Sequence, residues 1–288
     1  MNNILFQGVC TALATPFKND KLNLPMLEKL MEKQMEAGIR AFVICGTTGE
    51  APTLSSCEKI TLYREARKIA GKDAVILAGS GSNNTQNAVY LSKAAENQGA
   101  DGLLVVTPYY NKCTEAGLIQ HYEKIAEAVS IPIILYNVPS RTGVDISPGA
   151  CLKLSKIPGV IGIKEASSDL RKAAKIIRIC PESFSVYSGN DDLLLPMLSI
   201  GSKGVISVAS NIKPGEMKSV TDAFFSGNFE QARQKFLSLL PLIDSLFSEV
   251  NPIPIKAALA ASGLDCGKCR LPLTEISPAH LESIKKLL

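Results

Sequence analysis

Val160-Ile161-Gly162-Ile163-Lys164-Glu165-Ala166-Ser167-Ser168 begins as an unbroken apolar run of strand length and ends on an amine followed by polar turn residues. A run without polar alternation reads as a strand covered on both faces, the pattern of a parallel sheet lined by helices. A lysine where such a strand opens into its loop projects into a partly dry pocket, and desolvation there disfavours the ammonium relative to the free amine. A free amine can add to a ketone and form a Schiff base. The plainer alternative is a strand-end lysine paired with a carboxylate, and the rest of the chain decides between them.

Working outward, the same kind of run recurs. Gly8–Ala14, Ala41–Cys45, Ala74–Ala78, Gly102–Val106 and Ile131–Tyr136 precede it, and Phe184–Tyr187 and Gly204–Val208 follow. Helical periodicity fills the gaps: a helix over roughly 23–38, one from near Ser55, one carrying Ala88, Leu91 and Ala95, and one with Leu118, Tyr122, Ile125 and Val129 on a single face. Eight strands alternating with helices at intervals of roughly 25–30 residues predict an α/β fold, a closed (β/α)8 TIM barrel. A doubly wound open sheet fits less well, because the turn after the first strand is Thr15-Pro16-Phe17-Lys18 and not a glycine-rich phosphate loop. Beyond Val208 the sequence predicts helices near 214–226, 229–247, 253–262 and 278–287. The expected organisation is a barrel over residues 1–226 and a C-terminal helical extension over 227–288 packed on it, with no linker between.

The 288 residues are 46% hydrophobic and 20% charged, enough for a substantial core. A formal net charge of +4, without a basic run, gives nucleic-acid binding little electrostatic support. No apolar stretch is long enough to span a bilayer, and Met1–Gln7 shows no signal-peptide pattern, so a cytoplasmic location and no membrane partner are expected. Of the eight cysteines, the scattered Cys10, Cys45, Cys57, Cys113, Cys151 and Cys180 read as small buried hydrophobes or inert thiols of a reducing compartment. Cys266-Gly267-Lys268-Cys269 has the spacing of half a zinc site, but it has no second pair and the chain holds only two histidines. With so little imidazole, acid–base work falls to tyrosine, lysine or carboxylate.

In a barrel of this kind the chemistry gathers at the C-terminal strand ends. Those ends read Gly46-Thr47-Thr48-Gly49-Glu50, Thr107-Pro108-Tyr109-Tyr110-Asn111, Tyr136-Asn137-Val138-Pro139-Ser140-Arg141-Thr142-Gly143, Lys164, and Ser188-Gly189-Asn190-Asp191, with Ile206-Ser207-Val208 on the last strand. Gly46 and Gly49 suit a tight turn whose amides near Thr47 and Thr48 converge on a carboxylate. Tyr136 and Tyr110 are phenols that can pass protons, and the Thr47 hydroxyl can bridge them. The Arg141 fork suits a substrate carboxylate. Glu50 and Glu165 read as supporting hydrogen-bond partners.

On these motifs together, over nearly its whole length, the chain resembles the dihydrodipicolinate synthase family within the pyruvate-dependent class I aldolases, which include N-acetylneuraminate lyase. The resemblance implies a lysine/diaminopimelate-pathway condensation of pyruvate with L-aspartate 4-semialdehyde through an imine on Lys164, without metal or dissociable cofactor. It implies Tyr136, Thr47 and Tyr110 as a proton relay, Thr47 and Thr48 as holders of the pyruvate carboxylate, and Arg141 as the clamp on the second substrate. Gly189 and Ile206 match main-chain positions lining the pocket. It further implies a homotetramer, a dimer of dimers, in which Tyr110 crosses the tight dimer interface to the partner's site. A sugar-acid aldolase or a non-catalytic sensor on the same barrel are the alternatives; Arg141 and the Thr47-Thr48 pair argue against the first, and the retained lysine and relay argue against the second. Family members inhibited by lysine use a polar loop, two histidines and a glutamate where this chain has Ala51-Pro52, Ser56, Lys59 and Asn87, so insensitivity to lysine is expected.

Overall fold

A computed structural model describes residues 4–288; Met1–Asn3, which open the segment read for a leader, lie outside the described residues. Eight parallel strands close into a barrel: β1 Gly8–Ala12, β2 Ala41–Ile44, β3 Val75–Gly79, β4 Gly102–Val106, β5 Ile133–Asn137, β6 Val160–Glu165, β7 Ser185–Ser188 and β8 Gly204–Ser207. β8 returns to β1 in parallel register, Gly8 opposite Gly204 and Thr11 opposite Ser207. The apolar runs fit strands covered on both faces, and the return of β8 to β1 leaves the barrel no unpaired edge strand.

The period-two alternation of each strand divides the core. Inward side chains, among them Cys10, Val43, Leu77, Leu104, Ile134 and Tyr187, fill the barrel. Outward ones such as Phe42, Ile76, Leu103, Ile133 and Ile163 meet the helices. The helices are α1 Leu24–Glu36, α2 Ser56–Ala70, α3 Thr85–Asn97, α4 Glu115–Ala126, α5 Pro148–Leu154, α6 Leu170–Ile179, α7 Leu194–Ser199 and α8 Pro214–Phe225, followed by α9 Phe229–Leu246, α10 Ile253–Ala261 and α11 Pro278–Lys285. Side-chain caps fix many of the starts, with Ser55 and Glu58 forming a reciprocal capping box at α2 and Asp169 capping α6. Among the described residues, no helix is long and apolar enough to cross a membrane.

One detail departs from the expected elements: Val129 lies past the end of α4, although it still packs against the core. The helix expected near 229–247 is α9, which runs through Pro241 for 18 residues.

The C-terminal segment is tied to the barrel mouth by polar contacts as well as packing. Lys256 Nζ donates to Glu50 Oε1 at 2.8 Å, and both side chains are nearly inaccessible. Arg270 makes a fork with both Glu58 oxygens at 2.6 and 3.0 Å and lies over the Phe17 ring. That guanidinium holds the Glu58 carboxyl down at about 2. Cys266 is buried and its carbonyl accepts from Phe17 N at 2.8 Å.

Candidate active site

Lys164 enters the site because β6 carries it inward from the helix-facing Ile163, one step along the pleat. Parallel pairing sets Tyr136 of β5 directly beside it, and Lys164 Nζ stands 4.4 Å from the centre of the Tyr136 ring. The amine is buried, at 5% exposure, and no carboxylate pairs with it among the described residues. The plainer reading of a strand-end lysine neutralised by an acid therefore does not describe Lys164.

The Gly46–Glu50 turn after β2 is built differently from the expectation that its glycines supply the bend. The left-handed positions are Cys45 (φ 58°) and Glu50 (φ 55°), while Gly49 is needed for space: a Cβ there would lie 3.1 Å from Thr15 Oγ1. Glu50 N donates to Thr47 O at 3.0 Å, and Lys256 and the Arg270 amide anchor the Glu50 carboxylate. Neither the Thr47 nor the Thr48 amide has a protein acceptor among the described residues, so two N–H groups remain available at the mouth.

Two adjoining cavities of about 240 and 190 Å³ open here and share Thr47, Tyr136, Val138 and Arg141 as walls. The smaller contains Lys164, Thr48 and Gly189. The larger runs outward past Tyr109 and Lys59. Among the described residues no carboxylate lines either cavity, whereas the basic side chains of Lys164, Arg141 and Lys59 do. Arg141 sits on a single helical turn, Pro139–Thr142, that Gly143 ends at φ 70°; its Nη2 donates to Asn251 O at 3.3 Å. Ile206 lies in the barrel interior in the cluster that contains Tyr136 and is not a wall of either cavity, where Val208 takes that place.

Tyr110 is the outlier. It stands at φ 71°, is 90% exposed and lines neither cavity of its own chain.

Two groups at the mouth escaped the sequence reading. Asn251, just before α10, donates from Nδ2 to Thr48 Oγ1 at 3.0 Å and lines the Lys164 cavity. Asp191 is fully buried, and its Oδ2 accepts from the Val208 and Ala209 amides at 2.9 and 2.8 Å. Burial raises its pKa above the usual carboxylate value, against the lowering pull of those bonds and of Lys164. In sequence Asp191 is only one residue of a strand end, and Asn251 carries no local signal at all.

A closed parallel barrel whose strand ends bring a buried amine, a phenol and the Thr47 and Thr48 hydroxyls to one cavity defines a (β/α)8-barrel enzyme. The family model for the dihydrodipicolinate synthetase family matches residues 5–288. A 4-hydroxy-tetrahydrodipicolinate synthase of Caldicellulosiruptor bescii is 49% identical over 286 residues, covering 99% of this chain and 96% of that protein. The crystal structure of a dihydrodipicolinate synthase from Aquifex aeolicus superposes with a TM-score of 0.96 at 43% identity, covering 98% of this chain and 97% of the other. The enzyme from Acinetobacter baumannii, solved in complex with pyruvate, superposes with a TM-score of 0.95 at 42% identity over 98% of this chain and 97% of its own. The chain belongs to the dihydrodipicolinate synthetase family.

Proposed function

We infer that this enzyme condenses pyruvate with L-aspartate 4-semialdehyde to give 4-hydroxy-tetrahydrodipicolinate, a lyase-type step toward diaminopimelate and lysine. The observation that carries the reading is the buried Lys164 amine, unpaired by any carboxylate among the described residues and 4.4 Å from the Tyr136 ring, in a cavity that also holds Thr48 and Arg141. The full-length relatives named for this activity support it.

On this reading Lys164 attacks the pyruvate ketone and water leaves to form the iminium. The free amides and hydroxyls of Thr47 and Thr48 receive the pyruvate carboxylate, and Gly189 lines the pocket beside it. The iminium draws electrons from the methyl group, which loses a proton through the Tyr136–Thr47–Tyr110 relay and becomes a nucleophilic enamine. The enamine attacks the aldehyde held by Arg141, the substrate amine displaces Lys164, and the ring closes. No metal or dissociable cofactor takes part in this sequence. Residues 1–226 act as the catalytic barrel and 227–288 as an extension that braces its mouth. The working assembly is a cytoplasmic homotetramer, a dimer of dimers, in which Tyr110 keeps the relay role that the family resemblance implies, while Val208 takes the pocket-lining place expected of Ile206.

The purified protein should consume both substrates in a coupled assay. Preference for N-acetylmannosamine as acceptor, or no turnover with aspartate semialdehyde, would overturn the reading.

Arg141→Ala should raise the apparent KM for aspartate semialdehyde roughly ten- to a hundredfold, the worth of one charge-assisted hydrogen bond, with a much smaller change for pyruvate. Equal shifts for both substrates would reassign Arg141 to holding the Asn251 carbonyl.

L-Lysine should not inhibit at physiological concentration. Lys59 stands half-buried on the larger cavity, without a carboxylate partner among the described residues, and burial lowers its pKa. Asn87, at the position of the expected glutamate, is bound to Ser82 Oγ at 3.2 Å. A ligand ammonium there would meet a like charge and no acid. A sub-millimolar inhibition curve would show otherwise.

A further inference from the structure

Immediately behind the two reacting side chains lies a buried polar cluster that the chemistry above does not use. Tyr136 and Lys164 are register partners, and so are their successors Asn137 and Glu165. Because side chains alternate along a strand, the first pair points into the barrel and the second toward the helices. Asn137 Nδ2 donates to both Glu165 oxygens, at 3.0 and 3.2 Å, and to Asp145 Oδ1 at 2.9 Å. Its Oδ1 accepts from Ile146 N at 2.9 Å, which fixes the orientation of the amide. Glu165 Oε1 also accepts from Ser167 N at 2.7 Å. Lys172, on the first turn of α6, is buried and places its ammonium 3.5 Å from Glu165 Oε2 and in direct contact with the half-exposed Asp145.

We propose that Asn137, Glu165 and Lys172 form a positioning clamp that locks β5 to β6 and so holds the Tyr136 phenol in register with the Lys164 amine. The proposal rests on the functional reading above. Three observations distinguish the clamp from an ordinary buried ion pair. Every partner lies one residue from a reacting group or on the helix that covers it. All the polar atoms of Asn137 and Glu165 are satisfied, which a buried cluster needs if it is to enforce one geometry. Through Asp145 and Ile146 it also grips the segment that follows the Arg141 turn, so a single cluster sets the positions of amine, phenol and guanidinium together. The glutamate next to Lys164 is then no stray charge: it is the acceptor on which both loops are hung.

The test uses the full-length enzyme with Asn137→Ala, which leaves the Glu165–Lys172 pair in place, and Lys172→Met, which removes the cation. The measurements are the rate at which pyruvate and borohydride label the active site, kcat per trappable site, and KM for pyruvate. Loosening the pair should lower both the labelling rate and kcat by roughly ten- to a hundredfold, with the pyruvate KM changing by less than about threefold, because the carboxylate site on Thr47 and Thr48 is untouched. Should Lys172→Met fail to fold, Asn137→Ala carries the same comparison. Wild-type labelling rate and kcat in the folded variants, with only the melting temperature lowered, would reduce the clamp to a structural ion pair. A wild-type enzyme that pyruvate and borohydride do not label would overturn the functional reading and, with it, the clamp.

Discussion

Lys164→Arg should lower turnover roughly a thousandfold or more while leaving the fold in place. Arginine keeps a cation of similar reach over the Tyr136 ring, so charge and packing are largely retained. What disappears is a nitrogen that can be free of its proton at neutral pH, since a guanidinium stays protonated and delocalised. Addition to the ketone therefore fails at its first step, before any question of the second substrate arises. The check is direct: pyruvate with borohydride should add the mass of a reduced pyruvate adduct to the wild-type peptide that contains Lys164, and to no peptide of the variant. Inactivation by borohydride with no adduct on that peptide would sink the imine mechanism. Lys164→Ala should lose as much activity, and the comparison separates loss of nucleophile from loss of charge.

The barrel was legible because its strands announce themselves locally. Val160–Ile163 or Gly102–Val106 is apolar throughout, and short turn signals bound each run, so the alternation of elements needs no long-range information. The hairpin Phe17–Lys18/Lys21–Leu22 was not, since two residues per strand carry no periodicity. The short helices Pro139–Thr142 and Pro148–Leu154 also passed unread, because one or two turns do not establish a helical face.

The same division runs through the site. Lys164, Tyr136, Thr47, Thr48 and Arg141 lie at strand ends, where barrel topology alone predicts convergence, and they share the cavities. Asn251, which bonds Thr48 across 203 positions, lies in the turn before α10, and Lys256, which pairs with Glu50 across 206, lies in that helix; neither local sequence points to the barrel mouth. Their roles come from how the tail folds back over the mouth, and no window of sequence contains that. The left-handed Cys45 is a similar case. Its conformation is imposed by packing: a side chain on Gly79 would meet the Cys45 carbonyl at 2.2 Å, so the two backbones can approach only because Gly79 has no Cβ.

Tyr110→Phe should cost about a hundredfold in kcat, and its activity should return when the variant shares a dimer with an inactive Lys164→Ala chain. Tyr110 is 90% exposed, held on a left-handed backbone position and outside both cavities of its own chain. A large aromatic side chain held out in solvent gains nothing from folding alone, whereas a second copy docked over this face would bury it. In a two-fold dimer the contact is reciprocal, so each phenol would serve the other subunit's relay. A mixed dimer of Tyr110→Phe with Lys164→Ala then contains one site with an intact lysine from the first chain and an intact phenol from the second. Equal amounts exchanged at random give about half mixed dimers, each with one good site of two, so about a quarter of wild-type activity should reappear. If Tyr110 instead acted within its own chain, every site in the mixture would lack either the phenol or the amine, and verified mixed dimers would stay as inactive as their parents. The experiment also reports on assembly, because recovery requires that the two chains share a site. Dilution that separates them should abolish the regained activity at the same concentration at which the wild-type enzyme loses its own.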